Sequence, residues 1–277
     1  MIRSIENLTG RPKLIRMALG YEKEVSAGRD FWEVMTERYG LTVDAGPRGL
    51  ERIPAKGPVV IVANHPFGIL DGMAMGRILS ERRGDFRIIA HKVFHKAKEL
   101  EDIILPISFD ETREAQRVNL ETRKEALRYL AAGGAIGIFP GGTVSTAKTI
   151  LGQPIDPVWR NFTARLVSRS NAAVIPIYFH GANSRIFQIA SHLHSTLRLA
   201  LLIKEFGSRV GGSIEATIGE ALPNEEIAAF SKDSSALMDY LRDKTYELSP
   251  QPLESLDYGF EFEEAYLGRE RRRNDAA

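Results

Sequence analysis

Six short apolar runs recur along this chain, at Pro58 to Ala63, Phe86 to Ala90, Ile103 to Phe109, Ala135 to Phe139, Ala173 to Phe179 and Ser213 to Ile218. Each has strand length, and the segments between them leave room for helices, so the chain has to stack strands and helices in layers. The fold class predicted is α/β. One helix is expected from about Asp71 to Arg83. Another, Asn119 to Ala132, carries Leu120, Ala126, Leu127 and Leu130 on one face with Glu121, Arg123, Lys124 and Glu125 elsewhere, and Gly133-Gly134 stops it. Ahead of the first strand, Leu14, Ile15 and Leu19, then Phe31, Trp32, Met35 and Tyr39, recur at helical spacing and predict two amphipathic helices. Two fates are open to them: packing on the core, or lying with Trp32 at a lipid interface. Beyond Pro250 the chain turns charged with no periodicity to bury. The organisation expected is an N-terminal helical, membrane-contacting segment over 1–45, one catalytic domain over 46–250, and a charged tail over 251–277.

Hydrophobic residues form 43% of the 277, enough to close one sizeable core. With 37 basic and 36 acidic residues no global field recruits nucleic acid, so any basic patch is local. The absence of cysteine excludes disulfides, thiolate catalysis and Cys-ligated zinc. No signal peptide is read at the N-terminus, and the longest apolar approach, Leu197 to Ile203, is far too short to cross a bilayer. A cytoplasmic protein, peripheral on the inner face of the cytoplasmic membrane, is the expectation.

The segment richest in chemistry is Val59-Val60-Ile61-Val62-Ala63-Asn64-His65-Pro66-Phe67-Gly68-Ile69-Leu70-Asp71-Gly72. An apolar strand runs into Asn-His-Pro, and an Asp follows at a helix start. Open α/β sheets bind ligands outside the carboxyl ends of their strands, where His65 and Asp71 would fall. A histidine there can take a proton from a hydroxyl near neutral pH, and a carboxylate beside it can fix its tautomer. The plainer reading makes Asp71 a helix cap and His65 a turn residue. Phe139-Pro140-Gly141-Gly142-Thr143-Val144-Ser145 also follows a strand, and its glycines could turn backbone N–H groups toward an anion, or merely make a turn. A phosphate-binding P-loop fails on spacing, because Ala147 stands where that motif needs glycine before Lys148. Val174-Ile175-Pro176-Ile177 is a third strand ending near the same edge, or a core strand with Pro176 at a bulge.

Asn64-His65, Asp71, Phe139-Pro140-x-Gly142-Thr143 and Val174-x-Pro176 occur in the order and approximate spacing of PlsC-like glycerolipid acyltransferases, and the chain resembles that family from about Val59 to Ile177. The resemblance implies a mixed central sheet flanked by helices, with N-terminal helical elements contributing to membrane contact. It implies His65 as the base that activates an acceptor hydroxyl, Asp71 as its support, and acyl-CoA or acyl-carrier protein as co-substrate, with no cofactor or metal. Asn64, Phe67, Gly68, Glu111, Arg113, Gly141, Gly142, Thr143 and Pro176 become candidate substrate-binding residues.

Three departures matter. Five residues, Pro66 to Leu70, separate His65 from Asp71 where the family has four, so one must be absorbed, at Gly68. Gly141 and Val144 replace an acid and an arginine of the third motif, and Phe109-Asp110-Glu111 ends where the second motif has arginine. In the family those arginines are associated with the acceptor phosphate. Without them, and with Glu111 present, lysophosphatidic acid fits poorly unless Arg113, Arg117 or Lys148 substitutes. The variant motifs are similar to the haemolysin-like branch, whose relatives include O-acyltransferases of lyso-ornithine lipids, and a cationic amino-acid headgroup would suit Glu111. A lysolipid is thus the expected acceptor and a lyso-aminolipid the expected headgroup class; the alternatives are a lysophosphatidic acid acyltransferase and an inactive lipid-binding scaffold. A hydrolase is disfavoured by the lack of a Gly-x-Ser-x-Gly elbow, and metal catalysis by Lys92 and Lys96 beside His91 and His95.

Overall fold

The computed structural model describes residues 10–92, 98–108, 112–230 and 232–262. Three short helices, α1 (Arg11–Ala18), α2 (Tyr21–Ser26) and α3 (Phe31–Arg38), lead into β1 (Thr42–Asp44). Then follow β2 (Val59–Ala63), α4 (Ile69–Arg82), β3 (Phe86–His91), β4 (Ile104–Ile107), α5 (Arg113–Ala131) and β5 (Ala135–Ile138). A two-stranded ribbon of β6 (Thr146–Ala147) and β7 (Pro154–Ile155) precedes α6 (Asn161–Arg169), β8 (Ala173–Phe179), α7 (Arg185–Leu193), α8 (Ser195–Arg209), β9 (Ser213–Ile218), α9 (Asn224–Ala229) and α10 (Ser234–Tyr246).

The main sheet has seven strands in the order β1-β9-β8-β2-β5-β3-β4. All neighbours run parallel except β8 and β9, which makes the sheet mixed. The period-2 alternation of side chains divides β2 between two cores: Val59, Ile61 and Ala63 face a core shared with α4 and the N-terminal helices, while Val60 and Val62 face one built with α5, α6 and α10. Burial on both faces explains why this strand reads as an unbroken apolar run.

All six expected strands are present, β8 and β9 with the same limits. β1 escaped notice because Thr42-Val43-Asp44 is short and half polar; it is held by parallel pairing to β9, a partner 171 positions on from Thr42 at Ser213. α5 begins at Arg113 rather than Asn119, capped by Thr112 Oγ1, which accepts from the Ala115 amide at 3.1 Å. Its first two turns are too polar to show a stripe.

The structure decides between the two fates of the N-terminal helices and moves both expected boundaries. Trp32 is buried, not lipid-facing: its ring occupies the space beside Gly76, where any Cβ would collide with it, and packs against Phe31 and Phe86. The N-terminal helices therefore share a core with β2 and α4 rather than forming an appendage that ends at residue 45. The tail likewise does not start at 251. Tyr258 and Glu261 are buried, Arg160 makes a two-pronged ion pair with Glu261 at 2.8 and 2.9 Å, and the fully buried Arg242 donates to the carbonyls of Leu256 and Asp257. Polar pairing with Arg160 and Arg242, not apolar periodicity, orders 256–262, so no periodic signal announced it. Residues 263–277 lie outside the described residues.

Candidate active site

β2 ends at Ala63, and the next two residues carry the site. Asn64 is buried, with both ends of its amide engaged by β8: Nδ2 donates to the Phe179 carbonyl at 2.9 Å and Oδ1 accepts from the Phe179 N–H at 2.7 Å. Asn64 thus extends the β2–β8 pairing with its side chain. Buried in this way, Asn64 holds β2 against β8, a structural role that the expectation of substrate binding did not include.

His65 follows at the carboxyl end of the strand, with its ring stacked on Phe139 at 4.3 Å between centroids. Its Nδ1 lies 2.9 Å from Asp71 Oδ2. The contact holds the ring against the carboxylate and fixes its orientation. Asp71 is fully buried in the first turn of α4, where Oδ2 also accepts from the amides of Phe67 and Gly68, each at 2.8 Å. With glycine at the cap, this is the backward half of a capping box. Asp71 is therefore both helix cap and histidine partner. Burial pushes its carboxyl above the ordinary value, while His65 and the two amides pull the other way.

The extra residue between His65 and Asp71 passes through Gly68, whose φ is +81°. L side chains rarely adopt this conformation, and a Cβ there would also lie 3.2 Å from Val144 Cγ2. The pair meets despite the longer interval.

The glycine loop packs directly on this turn. The Ser145 amide donates to the His65 carbonyl at 2.8 Å, and the Gly142 amide donates to the Phe139 carbonyl at 3.0 Å. Those two N–H groups are consumed inside the protein, so the expected anion nest loses them. The organising group, missed by sequence reasoning, is Asp156. Its Oδ1 accepts from the His65 amide at 3.2 Å and from the Ser145 hydroxyl, and its Oδ2 accepts from Trp159 Nε1 at 2.8 Å. Gly141 allows this carboxylate to approach: a Cβ there would lie 3.3 Å from Asp156 Oδ2. An acid at 141 would meet a like charge. Val144 is buried against Gly68, and the guanidinium of Arg198, from α8, reaches the same loop, donating to Thr143 Oγ1 and the Val144 carbonyl, each at 2.8 Å. An acid and an arginine thus reach this loop from elsewhere in the chain. Burial lowers the Arg198 pKa to about 10.

A second arginine closes the other side. Arg209, at the end of α8, stacks its guanidinium 3.8 Å from the centroid of Phe67 and donates to the Ala182 carbonyl at 2.7 Å. Its Nε is shielded and unpaired, burial lowers its pKa, and the charges of Glu205 and Asp71 oppose that shift. Sequence offered no signal for it, because its place beside Phe67 depends on how α8 folds back.

Phe67, Gly68, Gly141, Gly142 and Thr143 are therefore gathered around His65 and Asp71. Pro176 is not: it lies inside β8, opposite Val62, against Gly219. Arg113 is exposed in the first turn of α5, which packs on edge strand β4, with β3 and β5 between that strand and β2. Glu111 and the Phe109-Asp110 before it lie outside the described residues.

A mixed sheet presenting a histidine beside a buried carboxylate at its carboxyl edge is the kind of arrangement that general-base activation of a hydroxyl or water requires. The family described as Acyltransferase matches residues 18–259, and this chain belongs to that family and transfers acyl groups. It is 25% identical over 228 residues to a lyso-glycine lipid O-acyltransferase of Phocaeicola vulgatus, covering 80% of this chain and 78% of that protein. A lyso-glycine lipid O-acyltransferase of Bacteroides thetaiotaomicron is 23% identical over 241 residues, covering 82% of each. Among solved structures, the 1-acyl-sn-glycerophosphate acyltransferase PlsC of Thermotoga maritima aligns with a TM-score of 0.45 at 16% identity, covering 87% of this chain and 88% of that one.

Proposed function

We propose that this acyltransferase esterifies the hydroxyl of a lysolipid bearing an amino-acid headgroup, of the lyso-ornithine or lyso-glycine type, using acyl-CoA or acyl-carrier protein as donor. The observation that carries the chemistry is the His65–Asp71 pair, with Nδ1 turned to the carboxylate and the other ring nitrogen left for substrate. Nε2 takes the proton of the acceptor hydroxyl as its oxygen attacks the thioester carbonyl. The tetrahedral intermediate collapses with loss of the thiolate, which receives the proton from the imidazolium, giving ester and free thiol. Asp71 keeps the ring oriented and stabilises its transient charge without itself taking the proton.

The headgroup reading is supported by the relatives' names and by charge at the site. An amino-acid headgroup offers a carboxylate, and Arg209 beside Phe67 has a shielded donor unspent. Charge-assisted contacts of this kind are among the stronger hydrogen bonds. Lysophosphatidic acid remains the second reading, favoured by the buried cation of Arg198 against the glycine loop.

The test is a panel. Purified protein is given labelled acyl-CoA or acyl-carrier protein together with lyso-ornithine lipid, lyso-glycine lipid or lysophosphatidic acid. Transfer to the amino-acid lysolipids, with a large loss of kcat/KM in Arg209→Leu, is expected. Preference for lysophosphatidic acid would overturn the headgroup and leave acyl transfer standing.

A further inference from the structure

Among the described residues, all the large exposed apolar side chains except Leu120 belong to segments at one edge of the sheet: Ile15 and Leu19 on α1, Ile69 at the start of α4, Ile150 and Leu151 between β6 and β7, and the α7–α8 pair. Topology explains why these segments meet. α4 and the 139–153 loop leave the carboxyl ends of β2 and β5, and α7 follows the carboxyl end of β8. β9 is antiparallel to β8 and β1 parallel to β9, so α8 and the N-terminal helices enter the sheet at that same edge. It is the edge that carries His65.

Helix α7 is the clearest part. Its inner face is fixed: Phe187 and Ala190 are buried, Gln188 Oε1 accepts from the Ala147 amide at 2.9 Å, and His192 Nε2 is 2.9 Å from the Ala147 carbonyl. Its outer face presents Ile186, Ile189 and Leu193 at i, i+3 and i+7, a single apolar stripe in water. Arg185 Nη1 donates to the carbonyls of Leu151 and Gly152, at 3.0 and 2.8 Å, which fastens the exposed Ile150-Leu151 tip beside the start of that stripe. On α8, Leu199 is exposed as well. A concentration of apolar surface on this scale marks an interaction site.

Charge selects the occupant. Helices α1 and α7 contain no acidic residue, and the one acid of α8, Glu205, is buried and spent on the amide and hydroxyl of Ser184. Exposed Lys13, Arg16 and Arg185 stand on the same elements. We infer that the α7–α8 pair and the Ile150-Leu151 tip are this enzyme's docking surface for an anionic lipid bilayer, with α1 at its margin. An apolar stripe rimmed by cations inserts shallowly among acyl chains while the cations meet headgroup phosphates. Docked this way, the edge bearing His65 faces the membrane. The inference rests on the reading that the acceptor is a bilayer lipid.

The experiment uses the full chain with vesicles of phosphatidylcholine alone or with phosphatidylglycerol. The variants are Ile186→Ser/Ile189→Ser/Leu193→Ser, Ile150→Ser/Leu151→Ser, and Leu120→Ser as an exposed leucine elsewhere. All the altered side chains are exposed, so the variants should keep their unfolding midpoints. The wild type should float with phosphatidylglycerol vesicles and much less with phosphatidylcholine alone. The first two variants should lose flotation at least about tenfold, and Leu120→Ser should not. Acyl transfer to acceptor dispersed in detergent micelles should persist in every variant, and transfer on vesicles should fall only in the two patch variants. Unchanged flotation of both patch variants, or no flotation by the wild type, overturns the docking surface. So does a wild-type dimer that the α7 variant converts to monomer with vesicle binding intact, because the stripe is then a contact between copies. Loss of micellar transfer by the wild type would instead strike the proposed reaction.

Discussion

At the scale of single residues, the site is a set of buried polar groups whose partners come from distant parts of the chain. His65 and Asp71 were legible because a strand running into Asn-His-Pro, then an acid at a helix start, is a local pattern. Asp156 and Arg209 were not, since each acquires its role only when β7 and α8 fold back onto the turn. Asn64, a substrate-binding candidate through the family resemblance, uses its amide to complete the pairing with β8. Asp71 carries a signed prediction. Burial raises its pKa in the folded state above the unfolded value, so the protonated form is favoured by folding. Its contribution to stability is present below the unfolded pKa, near 3.8, and is lost as pH rises through the folded value. Asp71→Asn removes the buried charge while the amide oxygen can still accept from Phe67 and Gly68. Thermal unfolding at pH 7.5 should show the variant more stable than the wild type, the gain should shrink toward pH 4, and acyl transfer should be severely reduced. A variant less stable at neutral pH would mean that the His65 charge outweighs desolvation.

At the scale of elements, the legible ones had apolar stripes or unbroken apolar runs, and the illegible ones are held by polar contacts. α2 has no buried residue and is fixed through Glu24, which accepts from Arg38 and Arg29, while Arg38 also donates to the Leu19 carbonyl at 2.6 Å. Asp30 caps α3 by accepting from the Glu33 amide at 2.9 Å. The Arg38 and Arg29 contacts hold the Glu24 carboxyl below its ordinary value, and Arg29 does the same for Glu33. A depressed carboxylate stabilises above its unfolded pKa, near 4.5, and ceases to do so as pH falls through the folded value. Relative to the intrinsic rate, which itself falls with pH, hydrogen exchange over 21–39 should therefore quicken below pH 4.5 before the sheet is affected. Glu24→Gln should show the quickened exchange already at pH 7, and equal protection in variant and wild type would place the docking of α2 in other contacts.

At the scale of the whole molecule, the alternation of apolar runs and helical segments conveyed the layered fold, but not the strand order. β9 turns antiparallel to β8 and β1 joins beyond it, which brings the N-terminal helices to the catalytic edge instead of leaving them as an appendage. The same arrangement draws α7 and α8 over that edge with Ile186, Ile189, Leu193 and Leu199 outward. The His65–Asp71 pair, the glycine loop and the apolar rim thus share one face, an arrangement suited to an acceptor that stays in a lipid surface. The central claim is that His65 is the base, and it is tested most directly by labelled thioester transfer to a micellar amino-acid lysolipid, comparing wild type with His65→Ala at matched thermal stability. General-base assistance is worth about 10²–10⁴-fold, and a loss of that size in a folded variant is the expected result. Turnover by folded His65→Ala within a few-fold of wild type would contradict the account.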